Sequence, residues 1–458
     1  MGGEAFITED ARRTPVVKAA DVIVVGGGPS GVAAAIAAAR TGAQVLLVER
    51  AAFLGGTATG AMMASFMGFC WRDRQVSGGV ADEIIRRLGE DGGANGFLRY
   101  VMAEATDHPY LQYTLPFDPE VLKFVLDDLV RDAGVEVLLH AQVVAPISED
   151  GVVRGVVVEG RSGRQALRAK VVVDAGADGF IARGAGAQAQ NADQPPQSRQ
   201  PMTLMMRLAD VDVAAFRAVP REEKQRLSKT GMERGELAQR IMSLVSAPGG
   251  DDAFVLMTRV SGYDGADSWE LTKAEFEGRR QARSVVGFLR REVPGFGNCR
   301  LVALAPWIGV RETWQIFGDY VLTGEDVLEG RQFLDGIALG GGPLDIHHPV
   351  GGDLTLVEPA QPFATPYRCL LPVGVEQLLV TGRCVSSTIE AHGALRHMGS
   401  AMCLGQAAGT AAALAANTGV APRGLDSDKL RDALRGQDAI VDLDAVRDRT
   451  SFEPLTAR

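Results

Sequence analysis

A chain of 458 residues, 46% hydrophobic and 23% charged, can bury large cores but is too long for one small domain, so two domains are expected. Its formal net charge of -10 opposes the basic footprint that carries nucleic-acid affinity and leaves small molecules or proteins as partners. The five cysteines (Cys70, Cys299, Cys369, Cys384 and Cys403) are scattered without a C-x-x-C pair, so no zinc or iron–sulfur site is expected and they read as reduced, mostly buried thiols.

Residues 1–20, MGGEAFITEDARRTPVVKAA, place acids and arginines where a secretory leader needs a continuous apolar run, and read as an N-terminal extension of a cytoplasmic protein. Residues 21–50 then alternate a short apolar run, a glycine turn, an alanine-rich segment and a second apolar run, which is a β-α-β pattern. The segment DPEVLKFVLDDLVRDAG repeats apolar Val121, Leu122, Val125, Leu126 and Leu129 at helical spacing and stops at Gly134. VEVLLHAQVV resumes a strand, and GVVRGVVVEG, the RSGR turn and ALRAKVVVDAG read as an antiparallel pair returning to the sheet. From about Asn191 to Thr365 the chain is more charged and irregular, with a helix in KAEFEGRRQARSVVGFLRREV, and reads as a substrate or cap domain. VEQLLVTGR is then a strand and GQAAGTAAALAANTG a helix that completes the first domain. The stretch AMCLGQAAGTAAALAANTG is interrupted by Gln406 and Thr410 and suits a packed helix better than a membrane span. A polar, helix-prone tail begins near Asp426.

The strongest motif is Gly26-x-Gly28-x-x-Gly31, set directly after an apolar strand and directly before a helix. Gly26 permits a tight turn, Gly28 permits close approach of a pyrophosphate, and Gly31 lets helix and sheet pack closely. The helix N-terminus offers free N–H groups and a positive dipole end to that diphosphate. An acid roughly 20 residues on is needed for the ribose hydroxyls, and Glu49 stands there; it also disfavours the 2′-phosphate of NADP. The motif alone does not separate NAD from FAD.

Beyond Glu49, RAAFLGGTATGAMM resembles the loop that follows the second strand in glutathione-reductase-type flavoproteins. VVVDAGADGFIARGAGA is similar to their second FAD signature, departing from it with Gly176 and Ala177 where Thr and Gly are usual. WIGVRETWQIFGDYVL, GGPLDIHHP and LLVTGRCVSSTIEAHGALRHMGSAMCLGQAAGTAAALA resemble segments of the broad family of FAD-dependent oxidoreductases, and the likeness spans most of residues 20–420. The resemblance implies an α/β fold: a Rossmann-like FAD-binding domain, parallel sheet with antiparallel meander, discontinuous over residues 21–190 and 365–425. An α+β cap is inserted over 191–364, and a helical tail covers 426–458. It implies FAD contacts from Gly26, Gly28, Pro29, Ser30, Gly31, Glu49, Arg50, Gly55, Gly56, Thr57, Val143, Ala175, Gly176, Gly382, Arg383, Gly405, Gln406 and Ala408. A helix beginning near Gly405 is expected to aim its positive end at the flavin. Thr57, Ala58 and Thr59 replace the histidine that attaches FAD covalently in related succinate dehydrogenase flavoproteins, so noncovalent FAD is expected.

A pyridine-nucleotide disulfide reductase needs a second glycine fingerprint and a redox cysteine pair, and this sequence has neither, so the electron donor or acceptor stays open. The expected chemistry is hydride transfer between a small substrate and flavin N5. His392 is the leading general acid or base, because histidine titrates near neutral pH, with His347 in the GPLDIHHP turn as the other candidate. Arg311 and Arg396 are candidates to clamp an anionic or strongly polar substrate or to stabilise reduced flavin. Methionines and aromatics from Met62 to Trp71 line a cavity or, more simply, fill core. A flavin monooxygenase, a non-redox flavoprotein isomerase or hydratase, and a flavin-free NAD dehydrogenase are the competing readings. A homodimer is open, and no membrane partner is expected.

Overall fold

The computed structural model describes residue 7 and residues 9–101, 111–191, 199–350 and 354–448. Strand β1 (Val16–Val25) enters helix α1 (Pro29–Arg40) through the glycine turn, and β2 (Val45–Val48) returns beside it. Residues 22–25 of β1 pair in parallel with residues 45–48 on one side and 171–174 on the other. Being covered on both faces, this stretch of β1 is apolar throughout rather than alternating. Val16 already pairs with Ala166, so residues 16–20, read from the sequence as an extension, belong to the sheet.

Helix α2 (Val80–Glu90) precedes α3 (Pro119–Asp132), whose start is set by Asp118 accepting the Glu120 N–H at 2.8 Å and by Pro119 in the first turn. Gly134, with φ 75°, stops it as the sequence suggests. The run expected as one strand is two. β3 (Glu136–Leu138) pairs in parallel with β2, and after His140, at φ 58°, β4 (Gln142–Glu149) joins the meander with β5 (Val152–Gly160) and β6 (Gly163–Asp174). The left-handed residue turns the chain between the two directions. The sheet order is therefore β3, β2, β1, β6, β5, β4.

The inserted unit has its own core. Strands β7 (Met206–Ala209), β8 (Leu244–Ser246), β9 (Ala253–Val255) and β10 (Arg300–Leu304) form an antiparallel sheet in the order β8, β9, β7, β10. Helix α4 (Ser268–Glu292) starts where Asp267 accepts the Glu270 N–H at 2.8 Å and buries Ala282, Val285, Val286, Phe288 and Leu289 in that core. Leu322, Val327, Ile337, Leu344 and Phe363, within the segment 191–364, pack into the same cluster as α1. The strands there, including β11 (Leu344–His347) and β12 (Leu354–Val357), are short and irregularly spaced.

Strand β13 (Leu378–Val380) extends the parallel sheet beside residues 172–174 of β6. Helix α5 (Ile389–Leu395) and helix α6 (Met398–Thr418) follow, and α6 begins seven residues before Gly405, where the sequence had placed its start. Helix α7 (Ser427–Arg435) buries Leu430 and Leu434 in the main core, so this part of the tail is integral to the domain. Phe66 and Phe69 of the early aromatic run cluster with Phe117 in that core. All five cysteines are buried and free, and among the described residues no helix is long and apolar enough to cross a membrane.

Candidate active site

The glycine turn is built by contacts that exclude side chains. A Cβ at Gly31 would lie 1.8 Å from the Gly26 carbonyl oxygen, and one at Gly26, where φ is 96°, would lie 2.7 Å from that of Ala175. At Gly28 a Cβ would meet nothing within 4 Å. No side chain caps α1 and Pro29 occupies its first turn, so the leading N–H groups of Ser30 and Gly31 have no intrahelical acceptor. Glu49 accepts the Gly27 N–H at 2.6 Å and the Ala51 N–H at 2.8 Å, which ties the end of β2 to the turn. Carboxylate oxygens hold about four acceptor positions, so capacity for ribose hydroxyls remains.

Three further segments border this turn. The Gly55 N–H donates to the Gly27 carbonyl at 2.8 Å, and a Cβ at Gly56 would lie 2.8 Å from the Gly28 Cα, with exposed Thr57 next in the chain. The Ala175 N–H donates to the Val25 carbonyl at 2.9 Å, while Gly176 donates to Asp174 at 3.0 Å. Ser30 Oγ lies 2.9 Å from Thr381 Oγ1, beside Gly382 at φ 79°. Val143 is buried in β4 just beyond Ala141, whose N–H reaches the Glu49 carbonyl at 3.1 Å; Arg50 is exposed. The sequence reading gave Asp174 no role. Its fully buried carboxylate also accepts the N–H groups of Ile181 and Ala182, and burial raises its pKa against those donors. Ala177, which stands where the family signature has glycine, adopts the left-handed φ of 68°, so the turn survives the substitution at a cost of roughly 1–2 kcal/mol.

The helix expected to begin near Gly405 begins at Met398. Gly405, Gln406 and Ala408 lie inside α6, and the contact surface of Gly405 is α1: a Cβ there would lie 2.0 Å from the Ser30 carbonyl oxygen, and one at Gly409 would lie 1.9 Å from that of Ala34. Gln406 accepts the Val80 N–H at 3.0 Å, capping α2, and Ala408 is fully buried. The small residues bring two helix backbones together under the glycine turn.

A second centre lies where the nucleotide domain meets the cap. Arg383, expected to touch FAD, donates to Asp178 at 2.5 Å, to the Ala177 carbonyl at 3.3 Å and to the Val310 carbonyl, and so ties the two sides of the seam. His392 is wholly buried in α5 without a hydrogen-bond partner on either ring nitrogen. Burial, Arg396 and Arg383 hold its pKa down to about 3, which leaves the leading acid–base candidate neutral and out of contact with solvent. His347 sits on strand β11 rather than in a turn. Its Nε2 lies 3.3 Å from Asp345 Oδ1, and burial with Arg311 nearby lowers its pKa to about 4.

Asp345 is the residue the sequence reading passed over. Burial would raise its pKa, but Arg396 (2.9 Å), His347 and His397 outweigh that and hold it well below the usual carboxylate range. Arg311 donates to Thr203 Oγ1 at 3.0 Å and to the Pro201 carbonyl, and its pKa falls to about 9 through burial and the neighbouring charges of Arg396 and Arg259. Gln200 joins both halves: its N–H and amide reach Glu312 at 2.6 and 2.9 Å, and its Oε1 accepts the His347 N–H at 3.1 Å. Period two on a strand would have revealed the Asp345 and His347 pair, had the segment been read as one.

The residues at the glycine turn fit a dinucleotide: an uncapped helix N-terminus, open space over Gly28 and an acid at Glu49. Fold and turn together define a dinucleotide-binding protein of the Rossmann-like class, with an antiparallel meander and an inserted cap. A sequence model of the FAD dependent oxidoreductase family matches residues 21–434, and the chain belongs to that family. It is an FAD-dependent oxidoreductase, and FAD is its cofactor. Digeranylgeranylglycerophospholipid reductase 1 of Methanopyrus kandleri is 32% identical over 183 residues, 36% of this chain and 42% of that protein. The corresponding reductase of Methanosphaerula palustris is 29% identical over 175 residues, 36% of this chain and 41% of that one. The matches thus span less than half of these curated relatives. Among solved structures, a geranylgeranyl bacteriochlorophyll reductase-like protein from Thermoplasma acidophilum has 16% identity and a TM-score of 0.49, covering 92% of this chain and 84% of that one. The p-nitrophenol 4-monooxygenase of Pseudomonas putida has 15% identity and a TM-score of 0.47, covering 91% and 84%.

Proposed function

We propose that the chain transfers a hydride between a small polar or anionic organic substrate and flavin N5, with FAD bound noncovalently and the substrate at the seam between nucleotide domain and cap. When bound, FAD supplies the hydride acceptor or donor. Glu49 and the turn from Gly26 to Gly31 hold its ribose and diphosphate ends. The seam supplies orientation and charge.

One observation carries the substrate class. Arg311, itself buried, is acted on through space by two further guanidinium groups, Arg396 and Arg259, with Asp345 and Glu312 as the opposing carboxylates. Like charges held together in a poorly solvating site favour an added anion. A planar carboxylate suits guanidinium groups, which bind it through two parallel N–H bonds.

Turnover of matched acid and amide analogues tests this. The acid is expected to be preferred, and Arg311→Gln is expected to lower kcat/KM for it by about 10- to 100-fold, as charge-assisted hydrogen bonds of about 1.5–3 kcal/mol imply. Equal turnover of acid and amide contradicts the reading. Release of flavin on acid denaturation is expected for a noncovalent cofactor, and flavin retained on the polypeptide would count against it.

A further inference from the structure

We propose that His347 exchanges the substrate proton and that Asp345 is its positioning residue, one carboxylate orienting both the imidazole and the Arg396 guanidinium. The proposal rests on reading the seam as the substrate site.

The geometry begins with strand β11, where Asp345 and His347 share a face because side chains alternate along a strand. Asp345 Oδ1 lies 3.3 Å from His347 Nε2, and its Oδ2 lies 2.9 Å from Arg396 and 3.8 Å from His397 Nε2. Packing fixes the carboxylate from behind. A Cβ at Gly393 would lie 2.9 Å from the Asp345 nitrogen, so α5 rests directly on the strand, and one at Gly342 would lie 2.1 Å from His397 Nδ1. From the cap side, Gln200, held by Glu312, takes the His347 N–H. Main chain and side chain of His347 are therefore anchored from opposite sides of the seam.

Exposure then separates the three histidines. His392 is 0% exposed and His397 5%, whereas the His347 side chain retains 20%. Among these three, His347 is the ring a substrate can reach. The charged groups acting on it are Arg311, Asp345 and Arg396. Both arginines favour the neutral ring and Asp345 favours the protonated one. Nε2 stands at ion-pair distance from Asp345 Oδ1, an oxygen without a hydrogen-bond partner of its own, which leaves Nδ1 as the nitrogen to take a substrate proton.

The neutral ring is a base. In substrate oxidation, the C–H bond breaks with its electron pair going to the oxidised flavin, the O–H or N–H proton on the same carbon's heteroatom passes to His347 Nδ1, and a C=O or C=N bond forms. In the reverse direction the imidazolium returns that proton.

The experiment is a pH titration of the FAD-loaded protein by nitrogen-15 histidine NMR, with the His347 signal assigned by its loss in His347→Gln. His347 is expected to titrate near pH 4, lower in Asp345→Asn and higher in Arg311→Gln, because the first removes an attractive charge and the second a repulsive one. Asp345→Glu, which keeps the charge, is expected to bring the titration back toward the wild-type position. In parallel, His347→Gln is expected to slow anaerobic flavin bleaching by substrate at least about 100-fold, with FAD content and reduction by dithionite unchanged. Unchanged bleaching in His347→Gln, or a His347 titration unmoved by Asp345→Asn, overturns the proposal. If no compound bleaches the wild-type flavin, the hydride-transfer reading fails instead, and the titration still decides the Asp345 and His347 pairing.

Discussion

Gly28 and Gly31 stand in one turn, yet a methyl group has opposite consequences at the two positions. At Gly28, with φ −71° and open space around the Cβ position, alanine fits the polypeptide and obstructs only the approaching diphosphate. At Gly31 the same methyl would sit 1.8 Å from a backbone oxygen, and nothing flexible can give way. Gly28→Ala is therefore expected to leave thermal unfolding of the FAD-free protein unchanged while weakening FAD binding. Gly31→Ala is expected to cost about 1–3 kcal/mol or more of stability before FAD is considered. Melting curves with and without added FAD separate the two. This motif was legible in the sequence because its requirements are local: a strand, a turn with no room for Cβ atoms, and an acid at the end of the next strand. His392 shows the opposite case, since its histidine chemistry was visible and its complete burial between α5 and its neighbours was not. Asp345 escaped notice because a lone aspartate carries no signal until the fold brings His347, Arg396 and His397 around it.

At the level of elements, α6 is the instructive error. Its glycines suggested a helix start, but Gly405 and Gly409 are spaced one turn apart to let α1 approach, their missing side chains replaced by the Ser30 and Ala34 carbonyls. Glycine in mid-helix costs roughly 1 kcal/mol in propensity, a cost offset here by close packing. Gly409→Ala, which a propensity argument would call stabilising, is expected to destabilise by about 1–3 kcal/mol, measured by urea unfolding. Strand β11 was read as a turn because it is only four residues long, Leu344 to His347, with Gly341, Gly342 and Pro343 before it and Pro349 soon after. Tertiary pairing with β12, not local propensity, makes it a strand. By contrast α3 was visible because its period, its capping Asp118 and its terminal Gly134 all agree.

For the whole molecule, the discontinuous nucleotide domain and its inserted cap followed from pattern, and the chain closes the main sheet with β13, beside residues 172–174. The seam these halves share concentrates buried charge and gives the fold a pH signature. His392 and His347 hold folded pKa values of about 3 and about 4, and His397 is lowered as well, against 6.5 for an ordinary histidine. Below pH 6.5 the unfolded chain binds protons that the folded one refuses, so these groups withdraw stability as pH falls and contribute no slope above it. Urea unfolding of the FAD-free protein is expected to show that acid-side decline, and His392→Leu is expected to flatten it if the variant folds as the parent does.

Anaerobic spectrophotometry of the FAD-loaded protein against a panel of organic acids, their amides and neutral analogues tests the proposed hydride exchange with a small polar or anionic substrate. An acid is expected to bleach the flavin stoichiometrically, and its amide far more slowly. Turnover of an acid with the flavin spectrum unchanged throughout would contradict that exchange.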